Sequence, residues 1–197
     1  MEKSNDLRVI KTKQFLKEAL LVLLKKMDFE EITIMKLTTQ AQINRSTFYA
    51  HFYDKYDLLE KTINEELLSF VEEVAPKSEE ELTLAHIPNP FYVRATKYIY
   101  QHGEFFQVMM GENGISSFQQ RLLKIIEKYM LDYLEKLHPR PDKMEIPKEL
   151  FVYYVAHGYV GAISYWLEND MPYSPEYMAE KLSLMTIKGS FHAAGLK

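Results

Sequence analysis

Arg45-Ser46-Thr47, followed by Tyr49 and His51, brings five hydrogen-bonding side chains into one short stretch. A guanidinium can take a guanine edge bidentately, while hydroxyl and imidazole groups reach bases or phosphate oxygens. Phe48 and Phe52, four residues apart, would anchor such a helix inward and leave the donors outside. This is the chemistry of nucleic-acid recognition. Catalytic signatures are missing from the sequence: it has no Gly-rich phosphate loop and no G-x-S-x-G elbow. Cysteine is absent, which removes disulfides, thiolate nucleophiles and every zinc site built on thiolates. Glu135 and His138 form one Glu-x-x-His, half of a di-iron pattern whose other ligands have no counterpart here. No metal and no cofactor are expected, and the chain reads as a non-enzyme.

Apolar periodicity supplies the elements that must hold these donors. Phe15/Leu16, Ala19/Leu20, Leu23/Leu24 and Met27 recur at helical steps and predict a first helix over 6–27. Thr33 is placed to cap a short second helix that ends near Ala41. Gln42-Ile43-Asn44 then makes a turn, and Asn44 can cap a second short helix carrying Arg45 to His51. Asp54 caps a fourth helix that runs to Pro76, with Leu59, Ile63, Leu67, Phe70 and Val74 on one face. Two short helices joined by a tight turn, between longer braces, have helix-turn-helix geometry, in which the second short helix enters the major groove.

Downstream, Asn89-Pro90 and Ser174-Pro175 are cap-then-proline helix starts. Further helices are predicted over 91–102, 104–110, 116–137, 147–168 and 175–194, with an acidic linker over 77–89. No strand is evident. The expected fold is all-α, with about nine helices: a three-helix head over 1–56 and a helical bundle over 57–197.

The stretch from Ile32 to Leu59, ITIMKLTTQAQINRSTFYAHFYDKYDLL, resembles the DNA-binding region of the TetR family of bacterial regulators. It matches the family pattern at Thr33, Ile34, Leu37, Ala41, Thr47, Tyr49, Phe52, Lys55 and Leu58. It departs at Gln42, Asn44 and Ser46, where the family usually has Gly, Ser and Gly, so Gln42 must accept the turn conformation that Gly normally takes. The resemblance implies that Thr33, and Lys36 or Thr38 along the same helix, touch phosphate, and that Arg45, Ser46 and Thr47 face bases beside the capping Asn44. It implies that Tyr49, His51 and Lys55 clamp backbone phosphates. The C-terminal half is similar to the DhaS-type branch of the family around Tyr98–Phe106, Ser117–Gln119 and Ser164–Pro175.

In this family the C-terminal half dimerises and often binds an effector. The implied function is a homodimeric transcriptional regulator of a double-stranded operator, a repressor released by a small apolar or aromatic effector. The DhaS likeness leaves open an activator that works with a protein co-regulator. A helical-bundle enzyme is the rival from another class. Aromatic and Met side chains at Tyr98, Phe105, Phe106, Met109, Met110, Tyr129, Tyr133, Tyr154 and Trp166 could line a pocket or simply fill the core. Gly158 and Gly161 sit inside a helix, where each costs about 1 kcal/mol against Ala, so close helix approach is expected to compensate. A seam of the last two long helices would supply it, with His157, Gly158, Gly161, Ser164, Leu184 and Ile187 as its candidate residues; tight packing within the chain is the alternative.

Charge is divided in keeping with this reading. Residues 1–56 hold 10 Lys/Arg against 7 Asp/Glu, whereas 57–197 hold 14 against 21. A basic head can approach phosphate while the acidic body is repelled. Residues 150–167 carry no Asp, Glu, Lys or Arg, but His157, Ser164, four Tyr and two Gly argue for a buried helix rather than a membrane span. With no signal-peptide pattern at the start, a cytoplasmic location is expected.

Overall fold

Side-chain caps fix four of the helix starts. The structure, a computed structural model, describes residues 2–78, 81, 87–137 and 144–195, with the backbone alone described for 2–6, 133 and 137. All of its regular elements among the described residues are helical: α1 (Glu2–Leu24), α2 (Ile34–Gln40), α3 (Arg45–Tyr49), α4 (Lys55–Val74), α5 (Pro90–Gln101), α6 (Gly103–Met110), α7 (Ser116–Leu137), α8 (Lys148–Glu168), α9 (Pro175–Lys188) and α10 (Ser190–Ala193). A 3-10 turn, Phe29–Glu31, lies between α1 and α2. Thr33, Asp54, Asn89 and Ser174 each accept a backbone N–H from the first turn of the helix that follows. Proline occupies the first turn of α5 and α9, where its missing donor costs nothing.

The last helix expected from the sequence is broken. Gly189 has φ +88, outside the helical region and costly for any residue with a Cβ, so α9 stops there and α10 begins.

One continuous core joins head and body. Leu16, Leu20 and Leu24 of α1 meet Leu37, Phe48, Phe52 and Leu58, closing the head around its two short helices. The same cluster continues along α4 through Ile63, Leu67 and Phe70 to Tyr98, Phe106 and Phe118. Phe106 sits edge-on to Phe105 and Phe118, and Phe70 edge-on to Phe106, an aromatic arrangement that favours one packing over many. α4 therefore belongs to both halves: its first turn is part of the head, and its apolar face lies in the body. α5 packs along α9, and α7 along α8. The α5–α9 contact is stitched by polar bonds: Asn89 N–H to Ser183 Oγ at 2.8 Å, Thr96 Oγ1 to the Pro175 carbonyl at 2.9 Å, and Tyr92 with Thr186 at 2.8 Å. Buried hydroxyls so satisfied avoid the desolvation cost of unpaired ones.

Gln42 adopts φ 55, the left-handed conformation that the turn between α2 and α3 requires. Gln42→Gly should relieve this strain, offset in part by the greater freedom of Gly in the unfolded chain, for a net gain of about 0.5–1 kcal/mol. The expected result is a melting temperature higher by about 1–4 °C. A lower melting temperature would mean that the Gln42 side chain contributes more than its backbone costs.

Candidate nucleic-acid interface

Two short helices present the donors. α2 and α3 are joined by Ala41–Asn44, with the Gln42 and Ile43 N–H groups returning to carbonyls of α2 at 3.2 and 3.0 Å. Phe48 is fully buried and Phe52 nearly so, which fixes the roll of α3. Arg45, Ser46 and Tyr49 are consequently exposed, and Thr47 and His51 half-buried. Arg45 stands at the first residue of α3; among the described residues it makes no ion pair and no side-chain hydrogen bond. Asn44 precedes it, exposed, with its side chain making no capping bond. Tyr49 packs its ring edge-on against Phe48 at 5.6 Å while about half its surface stays in solvent. Its hydroxyl is thereby held out from the helix.

Other residues expected at this surface are otherwise engaged. Thr38 is 5% exposed, and its hydroxyl donates back to the Ile34 and Met35 carbonyls at 2.9 and 3.2 Å. The hydroxyl expected at phosphate is thus bonded back to the backbone of its own helix. Thr33 is exposed, but its Oγ1 already accepts the Lys36 N–H as the helix cap. Lys36 is exposed and returns its ammonium to the Glu31 carbonyl at 2.9 Å.

Lys55 shows the largest difference from expectation. Its Nζ donates to the carbonyls of Phe29 and Glu30 at 2.9 and 3.0 Å and lies 3.5 Å from the Glu30 carboxylate. It also sits over the rings of Phe29 and Tyr56, 4.7 and 5.1 Å from their centroids. The side chain is only 14% exposed. A cation at a helix N-terminus opposes the helix dipole, and these carbonyls supply the compensation. Tyr56 adds a bond to the same Glu30 at 2.9 Å, and that bond holds its phenol above the ordinary range. Lys55 is thus a clamp between the Phe29–Glu31 turn and the start of α4.

Lys55→Ala should lower the stability of the head by about 1–2 kcal/mol, as expected for hydrogen bonds made by a charged group. It should leave the salt dependence of DNA binding unchanged. If Lys55 instead neutralised one phosphate in each of two subunits, its removal would flatten the slope of log K against log salt by roughly 1.8. Fluorescence anisotropy across a salt series distinguishes the two.

Sequence reasoning missed the exposed side chains beside the donors. Tyr53 is 84% exposed in the turn before α4, and Met35 is 66% exposed on α2. The spacing of Tyr53 from Tyr49, one helical step, was the available signal.

In the body, the predicted pocket residues separate. Tyr98, Phe105, Phe106, Met109, Met110 and Trp166 are all buried in the core. Tyr98 donates to Glu66 at 2.8 Å, and Trp166 Nε1 to the Tyr173 carbonyl at 3.0 Å. Burial, followed by the bond to Glu66, raises the Tyr98 phenol far above its usual value. Tyr154 is 68% exposed on the outer face of α8, and the Tyr133 side chain lies outside the described residues. Tyr129 lines an apolar cavity of about 70 Å³ between α5, α7, α8 and α9, which the other described members of that set do not reach. Its further walls include Phe91, Tyr92, Phe151 and Tyr159, which the sequence reading left out.

The residues expected at the seam also divide. Gly158 and Gly161 are exposed, and a Cβ built on either meets nothing within 4 Å. No packing among the described residues accounts for them. They share an outward face of α8 with exposed Leu150, Tyr153, Tyr154 and Tyr165 and with half-buried His157, whose ring stacks on Tyr153 at 3.8 Å. From α9 and α10, Met185 and Phe191 border the same groove. Ile187 instead lines the apolar cavity beside Tyr129, Ser164 faces α6 beside Gln107, and Leu184 is half-buried.

Among the described residues, no three His, Asp or Glu are grouped to hold a metal; His138 of the Glu-x-x-His lies outside them. Glu135 pairs with Lys148 at 2.9 Å. No described helix is long and apolar enough to cross a membrane.

Comparison with known proteins agrees with this architecture. The chain is 26% identical to the HTH-type transcriptional regulator YxbF of Bacillus subtilis strain 168, itself uncharacterized, over 196 residues. That alignment takes in 95% of this chain but 48% of the relative, so the chain spans about half that protein's length. A TetR transcriptional regulator from Streptococcus agalactiae 2603V shares the fold with a TM-score of 0.64 at 19% identity, covering 94% of this chain and 99% of that one. DhaS, a dihydroxyacetone kinase operon activator, does so with a TM-score of 0.59 at 16% identity, covering 90% and 94%. Residues 87–188 match the TetR-type family model described as transcriptional regulator C-terminal region. That match takes in more than half of the chain, which belongs to the TetR family of transcriptional regulators.

Proposed function

We propose that the chain acts as a homodimeric, sequence-specific DNA-binding repressor, released from its operator by a small molecule bound in the body. The observation that carries the reading is the outward face of α3. Arg45, Ser46 and Tyr49 are exposed on a helix whose other side is locked by Phe48 and Phe52. Arg45 has no partner within the described residues that would occupy its guanidinium. The body supplies the pairing surface. Two copies of α8 and α9 meeting through the Gly158–Gly161 face would cover Leu150, Tyr153, Tyr154 and Tyr165, large side chains otherwise left in water.

A two-fold dimer places two copies of α3 in successive major grooves, so the operator should be a pseudo-palindrome with half-sites about one helical turn, or a multiple of it, apart. α4 provides the mechanical route, since it runs from the Lys55 clamp in the head to the core beside Tyr98 and Phe106. A ligand that favours one setting of α4 selects one separation of the two heads. The protein is expected in the cytoplasm, with its operator.

Selection from a random duplex pool with the purified protein tests this directly. Enrichment of a pseudo-palindromic sequence is the expected result. Retention of all sequences alike, or of none, would overturn it.

A further inference from the structure

The cavity between α5, α7, α8 and α9 is walled by Phe91, Tyr129, Phe151, Tyr159 and aliphatic side chains, and no charged residue among those described lines it. Its polar groups are mostly committed. Tyr92 and Thr186 bond to each other at 2.8 Å, Thr186 also donates to the Leu182 carbonyl at 2.9 Å, and Asn89 caps α5. Tyr159 is different. Its side chain is 4% exposed, its ring packs against Phe91 and Tyr92, and its hydroxyl has no hydrogen-bond partner among the described residues. Tyr159 lines the cavity, and buried hydroxyls in folded proteins nearly always have a partner, so this one, occluded and unpaired, is a place for a bond from outside the chain.

We infer that this cavity binds a small uncharged molecule carrying one carbonyl or hydroxyl group, with Tyr159 as its hydrogen-bonding anchor. The apolar walls disfavour an ionised ligand, because no cation on them replaces the water a carboxylate would lose. At about 70 Å³ the space is roughly half that of an engineered dry cavity that takes benzene, which leaves room for about three to five non-hydrogen atoms. Phe151, Tyr159 and Thr186 line both this cavity and the outer groove between α8, α9 and α10. Occupancy is thereby felt at the proposed subunit seam. The site rests on the reading of the body as the sensing half, and it gives that half a ligand class.

Butan-2-one, with butyrate as the charged counterpart, is a suitable probe. Titration of the full chain without DNA, followed by amide chemical shifts, should show saturable binding of the ketone, with shifts concentrated on α5 and α8. Butyrate at pH 8 should produce none. Tyr159→Phe keeps the ring and removes only the unpaired hydroxyl, so the variant should melt no lower than wild type. It should bind the ketone about five- to tenfold more weakly, as for the loss of one hydrogen bond. Equal affinity in the variant, equal binding of butyrate, or no saturable binding of the ketone would each overturn the assignment. Operator binding, measured separately, is untouched by those outcomes, so a failed ligand site and a failed regulator remain distinguishable.

Discussion

Arg45→Ala should weaken binding to the selected operator by about 1–3 kcal/mol in each half-site, the amount a bidentate arginine–guanine contact supplies. Two half-sites make the loss at least about thirtyfold in affinity for the dimer. The physical basis is the setting of the side chain. It occupies the first residue of α3, exposed, with Phe48 and Phe52 buried behind it and no carboxylate among the described residues paired to it. Base preference at one position per half-site should relax, while binding to random duplex falls much less. Arg45→Lys separates charge from shape: it keeps the cation, loses the planar fork, and should restore non-specific binding without restoring selectivity. If Arg45→Ala weakens operator and random duplex by the same factor, the guanidinium holds phosphate and the assignment to bases fails.

How far the sequence led depended on whether a signal was local. Caps are local. Thr33, Asp54, Asn89 and Ser174 accept hydrogen bonds from residues two or three positions away, and all four helix starts follow from them. The strain at Gln42 was legible too, because a turn that takes Gly elsewhere leaves any other residue at positive φ. Lys55 was not legible: what engages it is a pair of carbonyls at Phe29 and Glu30, and a sequence does not show where backbone carbonyls point. The cavity was missed for a related reason. Its walls come from four helices, and Phe91, Phe151 and Tyr159 have the same periodicity as ordinary core. On α8 apolar residues fill both faces, Trp166 and Ile163 inward and Tyr153, Tyr154 and Tyr165 outward. Periodicity therefore cannot tell the core side from the outward one. The structure can: a Cβ at Gly158 or Gly161 meets nothing within 4 Å, which sets both on the outward face.

Those glycines give the sharpest test of the dimer. Gly161→Leu has opposite expected effects on the single subunit and on the pair. Within one chain a Cβ at 161 enters open space, so a leucine there should stabilise α8 by about 0.5–1 kcal/mol through helix propensity alone. Between two chains, the same side chain would stand in a close crossing. Overpacking costs about 1–3 kcal/mol per site, and the two-fold axis brings two copies together. The dimer dissociation constant should then rise by at least about thirtyfold. Analytical ultracentrifugation would read that shift, and thermal melting at concentrations low enough to populate the monomer would read the subunit. Operator affinity should fall with dimerisation, since one head reaches only one half-site. A subunit that melts higher beside a weakened dimer locates the seam at this face of α8. An unchanged dimer constant would place the pairing surface elsewhere and leave the cost of Gly161 without a structural return.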